Sequence, residues 1–239
     1  MTPKFGAPKK IRIPFFSIVN IELIIFEIYN DIMYKREFVE GFSMIFYDIS
    51  RDTLSTKVYP GDSETSYRFV KSTDEGDMYN LSEISMSTHA GTHVDSPYHF
   101  DECGLDIGKV RLGTFYGKCT VVSIKGILTG DDMDRLLPHC RKRIIFHGSG
   151  EAYLSSTAVQ VLKDHKVLLV GTDAISIAPE FEEAKTHYEL ARANIAVVEN
   201  LFLEGVKDGE YILSAFPIKL DGLEAAPCRA VLMEEGKGI

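Results

Sequence analysis

His89-Ala90-Gly91-Thr92-His93-Val94-Asp95-Ser96-Pro97-Tyr98-His99-Phe100 gathers three of the chain's seven histidines and one aspartate, and the backbone that lets these groups meet decides the fold. On a helix, His89 and His93 would share a face, but Asp95 would point well around the cylinder and Pro97 would lack the donor a helix interior needs. In an extended chain side chains alternate, so positions 89, 93, 95 and 99 all fall on one side. A straight strand at about 3.3 Å per residue would still hold His89 and His93 roughly 13 Å apart, near the limit for sharing one ion. The chain must therefore bend. Gly91 tolerates unusual dihedrals and Pro97 fixes a turn-compatible one, so the expectation is a kinked strand end on which four groups converge.

Two histidines and an aspartate within seven residues form a nitrogen and oxygen donor set that suits zinc, manganese or iron. The competing reading is a polar loop in which the histidines cap backbone groups, and it leaves unexplained why one parity carries every ionisable group.

At 239 residues with 45% apolar content, the chain supports an ordinary globular core. A net charge of -9 gives no support to nucleic acid or an anionic membrane as partner, and small molecules are expected instead. Cys103, Cys119, Cys140 and Cys228 contain no C-x-x-C pair, so reduced thiols in a cytoplasmic protein are expected rather than a zinc-thiolate site or a disulfide framework. Residues 1–44 are read as an N-terminal extension of uncertain role and 45–239 as one domain. Within the extension, Lys9, Lys10 and Arg12 precede an apolar run from Ile13 to Ile21, but Glu22 ends that run, well short of the ~20 residues a membrane span needs.

From Phe46 onward the punctuation is that of a mixed α/β domain. Tyr59-Pro60-Gly61-Asp62 signals a turn, and Ser66–Val70 and Leu81–Thr88 alternate as strands. In the second, Ser85 and Ser87 share the parity of His89 while Ile84 and Met86 take the other, so that strand is expected to bury its apolar face. Further strands are expected at Gly117–Ile124, Arg143–Phe146, Lys166–Gly171, Ile195–Val198, Tyr211–Phe216 and Arg229–Met233. Helices are expected at Asp131–Leu137, stopped by Pro138, from Ser155 or Ser156 to about His165, and from Pro179 to about Ala193.

The pattern His89-x-Gly91-Thr92-His93-x-Asp95-x-Pro97-x-His99 resembles the signature of the metal-dependent cyclase-like hydrolases, which include bacterial kynurenine formamidases and isatin hydrolases. Echoes at Val170-Gly171-Thr172-Asp173, Val198-Glu199-Asn200-Leu201 and Ala226-Pro227-Cys228-Arg229-Ala230 extend it over most of residues 46–233. The resemblance implies an α/β fold of the swivelling β/β/α type with a mixed sheet, assembled as a homodimer or tetramer. Carried over, it makes His89, His93 and Asp95 ligands of one divalent metal, with Asp95 reaching a second, His187 binding that second metal and Glu199 bridging both. Two zinc ions are implied, with manganese as the alternative.

Such cations acidify water and polarise a carbonyl, which is hydrolase chemistry. His99, in phase but not needed as a ligand, is then the candidate general acid and base, with direct ligation as its competing role. Asp62, Tyr98 and His147 are candidates for the substrate pocket. Ser96 lacks a G-x-S-x-G turn and is no persuasive nucleophile. The expected reaction is cleavage of a small amide C–N bond, in an aryl formamide such as N-formylkynurenine or in a cyclic amide of the isatin type. Less favoured alternatives are a non-heme iron oxygenase built on two histidines and a carboxylate, and a metal-binding protein without turnover. Tyr59 stands where kynurenine formamidases often carry Trp, and His147-Gly148 where relatives often carry Arg-Thr, which weakens the assignment of the substrate.

Overall fold

A computed structural model describes residues 34–39 and 42–235. The chain divides into two units, Met1–Lys35 and Arg36–Ile239, and the described residues belong almost wholly to the second. The basic-then-apolar segment of the expected extension lies outside them. The strands are β1 (Tyr34–Val39), β2 (Phe42–Asp48), β3 (Ser66–Lys71), β4 (Leu81–Ser85), β5 (His93–Asp95), β6 (Tyr116–Ser123), β7 (Gly126–Leu128), β8 (Arg143–His147), β9 (Ala152–Leu154), β10 (Leu169–Thr172), β11 (Ala196–Glu199), β12 (Gly209–Ser214), β13 (Ala225–Pro227) and β14 (Val231–Glu235). The α-helices are α1 (Gly130–Leu136), α2 (Ser156–Asp164) and α3 (Glu183–Arg192).

The main sheet runs β1-β2-β14-β12-β6-β8-β10-β11-β5-β13. Its centre is parallel, β6 with β8, β8 with β10 and β10 with β11, and β12 and β5 flank it antiparallel. The central runs are apolar at successive positions because both faces are covered. Ile145, Leu169 and Val198 enter one core with Phe115, Leu213 and Leu232. Ile144, Val170 and Val197 enter a second with Met133 of α1, Leu162 of α2 and Leu190 of α3. The mixed α/β fold expected from the sequence is the one observed.

Local signals set the helix ends. The Asp132 carboxylate accepts from the Thr129 N–H at 2.9 Å and from its hydroxyl at 2.7 Å, which caps α1. Pro138 falls in the 3-10 turn that ends that helix. Ser155 Oγ accepts from the Ala158 N–H to start α2. At Pro179 the expected helix begins instead with a 3-10 turn over Glu180–Glu182, and regular α-helix starts at Glu183.

One expectation fails. The strand beginning at Leu81 stops at Ser85, and the face expected to be buried is exposed. β3 and β4 form a separate two-stranded arm in which Tyr67 pairs with Ile84. Tyr67, Phe69, Ile84 and Met86 share one side of it, with Phe69 63% and Ile84 58% exposed. The other side carries the ion pair of Arg68 Nε with Glu83 at 2.8 Å. Alternation correctly distinguished two faces, but it holds no information about which face another element covers.

Candidate metal centre and active site

Because β8, β10 and β11 run parallel, their carboxyl ends lie along one edge of the sheet, where open α/β sheets place their ligands. β8 ends at His147, β10 is followed by Asp173, and β11 ends at Glu199. β5 then brings the histidine motif beside β11, with Glu199 opposite His93 and Val197 opposite Asp95. That register joins the motif to a residue 106 positions downstream of His93.

The motif bends at the two expected places. His89 sits in a turn, the chain reverses at Gly91, and strand geometry resumes at His93. Pro97 opens a 3-10 turn that carries His99. Gly91 has φ +63, and a Cβ there would lie 2.7 Å from Thr53 Oγ1 and 2.9 Å from the Thr53 Cα, so both dihedral and space demand glycine. Gly91→Ala is therefore expected to destabilise the protein by about 2 kcal/mol or more, measured as a lower denaturation midpoint. An unchanged midpoint would mean that the bend is not under constraint.

The polar groups converge. His89 Nδ1 is 3.0 Å from Asp95 Oδ1, and His93 Nε2 is 3.3 Å from the same oxygen and 3.6 Å from Glu199 Oε2. His187 Nε2 is 3.5 Å from Glu199 Oε1 and 3.2 Å from Ser176 Oγ. The His99 ring lies 4.4 Å from the His89 ring and 6.0 Å from the His187 ring, centroid to centroid. The Phe100 ring stacks on His187 at 4.8 Å. Several contacts fix these groups in place. The Gly91 carbonyl lies 3.0 Å from His93 Nδ1, and the Ile177 N–H donates to Glu199 Oε1 at 2.7 Å. The Ser96 hydroxyl is tied to the Glu224 carbonyl at 2.8 Å, so it is occupied structurally.

His93 Nε2 and both Asp95 carboxylate oxygens are buried without a hydrogen bond. Buried polar atoms are almost always satisfied, and an acceptor carboxylate beside open imidazole nitrogens suits a divalent cation. Donor atoms of His89, Asp95 and His99 lie within 4.8 Å of one another, as do those of His93, Asp95 and Glu199. Asp95 belongs to both groups.

Electrostatics of the metal-free site follow from the same contacts. Burial pushes the His93 imidazole down, but Asp95 and Glu199 outweigh it and the pKa is pushed up to about 10. His89 is likewise raised, burial being overcome by Asp95. Burial would raise Asp95, yet His93 and His89 hold it well below the usual carboxylate range. His99 is lowered, chiefly by burial.

These shifts fix a pH dependence. A raised folded-state pKa gives His93 a stabilising contribution that is complete below about 6.5 and is lost as pH rises through about 10. Asp95, shifted down, contributes above its ordinary 3.8 and loses that contribution only in stronger acid. The metal-free protein is therefore expected to lose melting temperature between about pH 7 and 10, and a flat or rising profile in thermal scans would contradict the buried ion pair. Cation binding has the opposite sign, since it needs neutral imidazoles and strengthens as pH rises.

A cavity of about 230 Å³ opens over these groups, lined by Tyr59, Asp62, His89, His93, His99, Phe100, Ile175, Glu183, His187, Glu199 and Asn200. Of the pocket candidates Asp62 lines it. Tyr98 is 41% exposed and His147 packs 3.8 Å from Asp173, and neither is in the lining. Sequence reading passed over Glu224, which accepts from the Thr88 hydroxyl and lies 3.5 Å from His89 Nε2. It also passed over Glu183, although that residue stands four positions before His187 and so shares its helix face.

Comparison with known proteins identifies a family for the chain. The Cyclase family model matches residues 47–179, a span that contains His89 to His99 and stops before His187 and Glu199. The kynurenine formamidase of Erythrobacter litoralis (strain HTCC2594) is 34% identical over 192 residues, covering 74% of this chain and 88% of the relative. Among solved structures, one described as a potential metal-dependent hydrolase with cyclase activity is 26% identical, with a TM-score of 0.64 over 81% of this chain and 100% of its own. Isatin hydrolase A from Labrenzia aggregata shares the fold at 15% identity, with a TM-score of 0.68 over 90% of this chain and 98% of its own. With its motif, its sheet and its relatives in agreement, the chain belongs to the cyclase family.

Proposed function

We propose that this protein is a metal-dependent hydrolase of a small amide C–N bond, with an aryl formamide such as N-formylkynurenine as the leading substrate class. The observation that carries the reading is Asp95, a buried carboxylate without a hydrogen bond that belongs to two donor groups. In this reading His89, His93 and Asp95 would hold one divalent ion, and His187 with Glu199 and Asp95 would hold a second; zinc is the proposed metal and manganese the alternative. A bound cation supplies Lewis acidity, which acidifies water and draws charge from a carbonyl oxygen. The remaining work belongs to the chain. The cavity over His89 and His93 admits the amide, and Phe100 stacked on His187 sets the orientation of that imidazole. His99, held neutral by burial, accepts a proton from the attacking water and returns it to the leaving nitrogen.

The formamide class is preferred over the isatin class because the formamidase relative is 34% identical, whereas the isatin hydrolase is alike in fold at 15%. The oxygenase alternative needs three donors and leaves His187 and Glu199 without a role. A hydrolysis screen of the metal-loaded protein against N-formylkynurenine, isatin and simple aryl formamides tests the assignment. Formate release from the formamides is expected, and ring opening of isatin alone would transfer the protein to the other class.

The protein is further proposed to act as a homo-oligomer in the cytoplasm. The uncovered apolar side of the β3–β4 arm supports assembly, because a two-stranded ribbon is marginal without a surface to pack on; sedimentation as a monomer would remove that part. Four unpaired cysteines fit a reducing compartment.

A further inference from the structure

The first two histidines of the motif turn different nitrogens toward Asp95. His93 presents Nε2 to that carboxylate at 3.3 Å, and its Nδ1 is held by the Gly91 carbonyl at 3.0 Å. His89 presents Nδ1 at 3.0 Å, which leaves Nε2 on the far side of its ring. A neutral imidazole that ligates through one nitrogen carries its proton on the other, and an acceptor for that N–H fixes both the tautomer and the ring plane. For His93 the acceptor is a backbone carbonyl. For His89 the group in place is Glu224, whose Oε1 lies 3.5 Å from Nε2.

Glu224 is tied to the motif at both ends. Its Oε1 accepts from the hydroxyl of Thr88, the residue before His89, at 2.5 Å. Its backbone carbonyl accepts from the Ser96 N–H at 2.9 Å and from the Ser96 hydroxyl at 2.8 Å, and Ser96 directly follows Asp95. β13 starts at the next residue, with Ala225 opposite Asp95 and Pro227 opposite His93. Strand pairing therefore places the Glu224 backbone, and Thr88 places its carboxylate. Glu224 is not among the residues lining the cavity, so that carboxylate reaches the site only through His89.

We infer that Glu224 is a positioning residue: its carboxylate accepts the Nε2–H of His89 and thereby holds Nδ1 toward the cation. The backbone carbonyl that ties Ser96 could come from any residue at this position, whereas the carboxylate serves the imidazole. It also raises the basicity of the ligating nitrogen. The inference rests on the metal centre of the hydrolase reading and adds to it a residue that binds neither ion nor substrate.

The test is zinc affinity of the stripped protein, measured by competition with a chromophoric chelator, before and after Glu224→Gln. Glutamine keeps the shape, the backbone carbonyl and an oxygen for Thr88, and removes the charge. The Kd for zinc is expected to rise about 10- to 100-fold, the usual cost of losing a group that orients a metal ligand, and an unchanged Kd overturns the role. A second readout needs no substitution and is indifferent to any loosening of the turn. Ring-nitrogen NMR of the zinc-loaded, unmodified protein should find His89 protonated at Nε2 and bound through Nδ1; a proton on Nδ1 overturns the inference. Should the unmodified protein bind no zinc, the metal-centre reading fails and the inference with it. Should protein and variant bind zinc equally, only the role of Glu224 fails.

Discussion

Asp95→Asn is expected to abolish metal retention and to lower amide hydrolysis by at least about 1,000-fold, since the bound ion is what brings the pKa of water down from about 15.7 to about 7. Asp95 stands in both donor groups, so its removal weakens two sites at once. The substitution preserves shape and removes charge, and β5 remains held between β11 and β13. Metal content after dialysis and the rate of formate release are the two measurements. A variant that keeps its metal and more than about a tenth of its rate would contradict the role of Asp95 at both ions. In the metal-free state the same change removes the partner that pushes His93 up to about 10, and the imidazole pKa followed by NMR should fall.

His99→Ala is expected to keep the metal and to lose about 100- to 10,000-fold in kcat, the usual contribution of a positioned acid and base. His99 stands on the 3-10 turn opened by Pro97, beside the His89 ring and facing that of His187. Burial lowers its pKa, so at neutral pH it carries the free base that proton abstraction needs. Its ring nitrogen also lies within 4.8 Å of donor atoms on His89 and Asp95, which makes ligation the competing role. Metal analysis separates the two: loss of metal makes His99 a ligand, and an unchanged rate removes it from proton transfer.

The site was legible where its signals were local. Gly91 and Pro97 bend the chain as their dihedral preferences predict, but alternation holds only for His93 and Asp95 on β5, whereas His89 stands in a turn and His99 in a 3-10 turn. Glu199 came within reach through the family resemblance, and its position opposite His93 comes from strand register, which no local pattern encodes. β5 and β13 are three residues long and leave too little alternation to be read as strands. Glu224 reaches Thr88 and His89 from the turn before β13, a contact across more than a hundred residues with no spacing to betray it. Glu183 was legible and missed, since its i,i+4 relation to His187 puts both on one face. The arm at β3 and β4 shows the opposite limit, where a correct pattern was given the wrong environment.

The central claim is that buried, orphaned donors around Asp95 hold the ion on which amide cleavage depends, and metal titration of the stripped protein tests it most directly. Protein freed of metal by chelation and dialysis should release no formate from N-formylkynurenine or a simple aryl formamide. Activity should return as zinc or manganese is added and level off at a stoichiometric end point, two ions per chain if His187 and Glu199 complete a second site. Full activity in the stripped protein, or none with any divalent ion on any amide tested, would contradict the account.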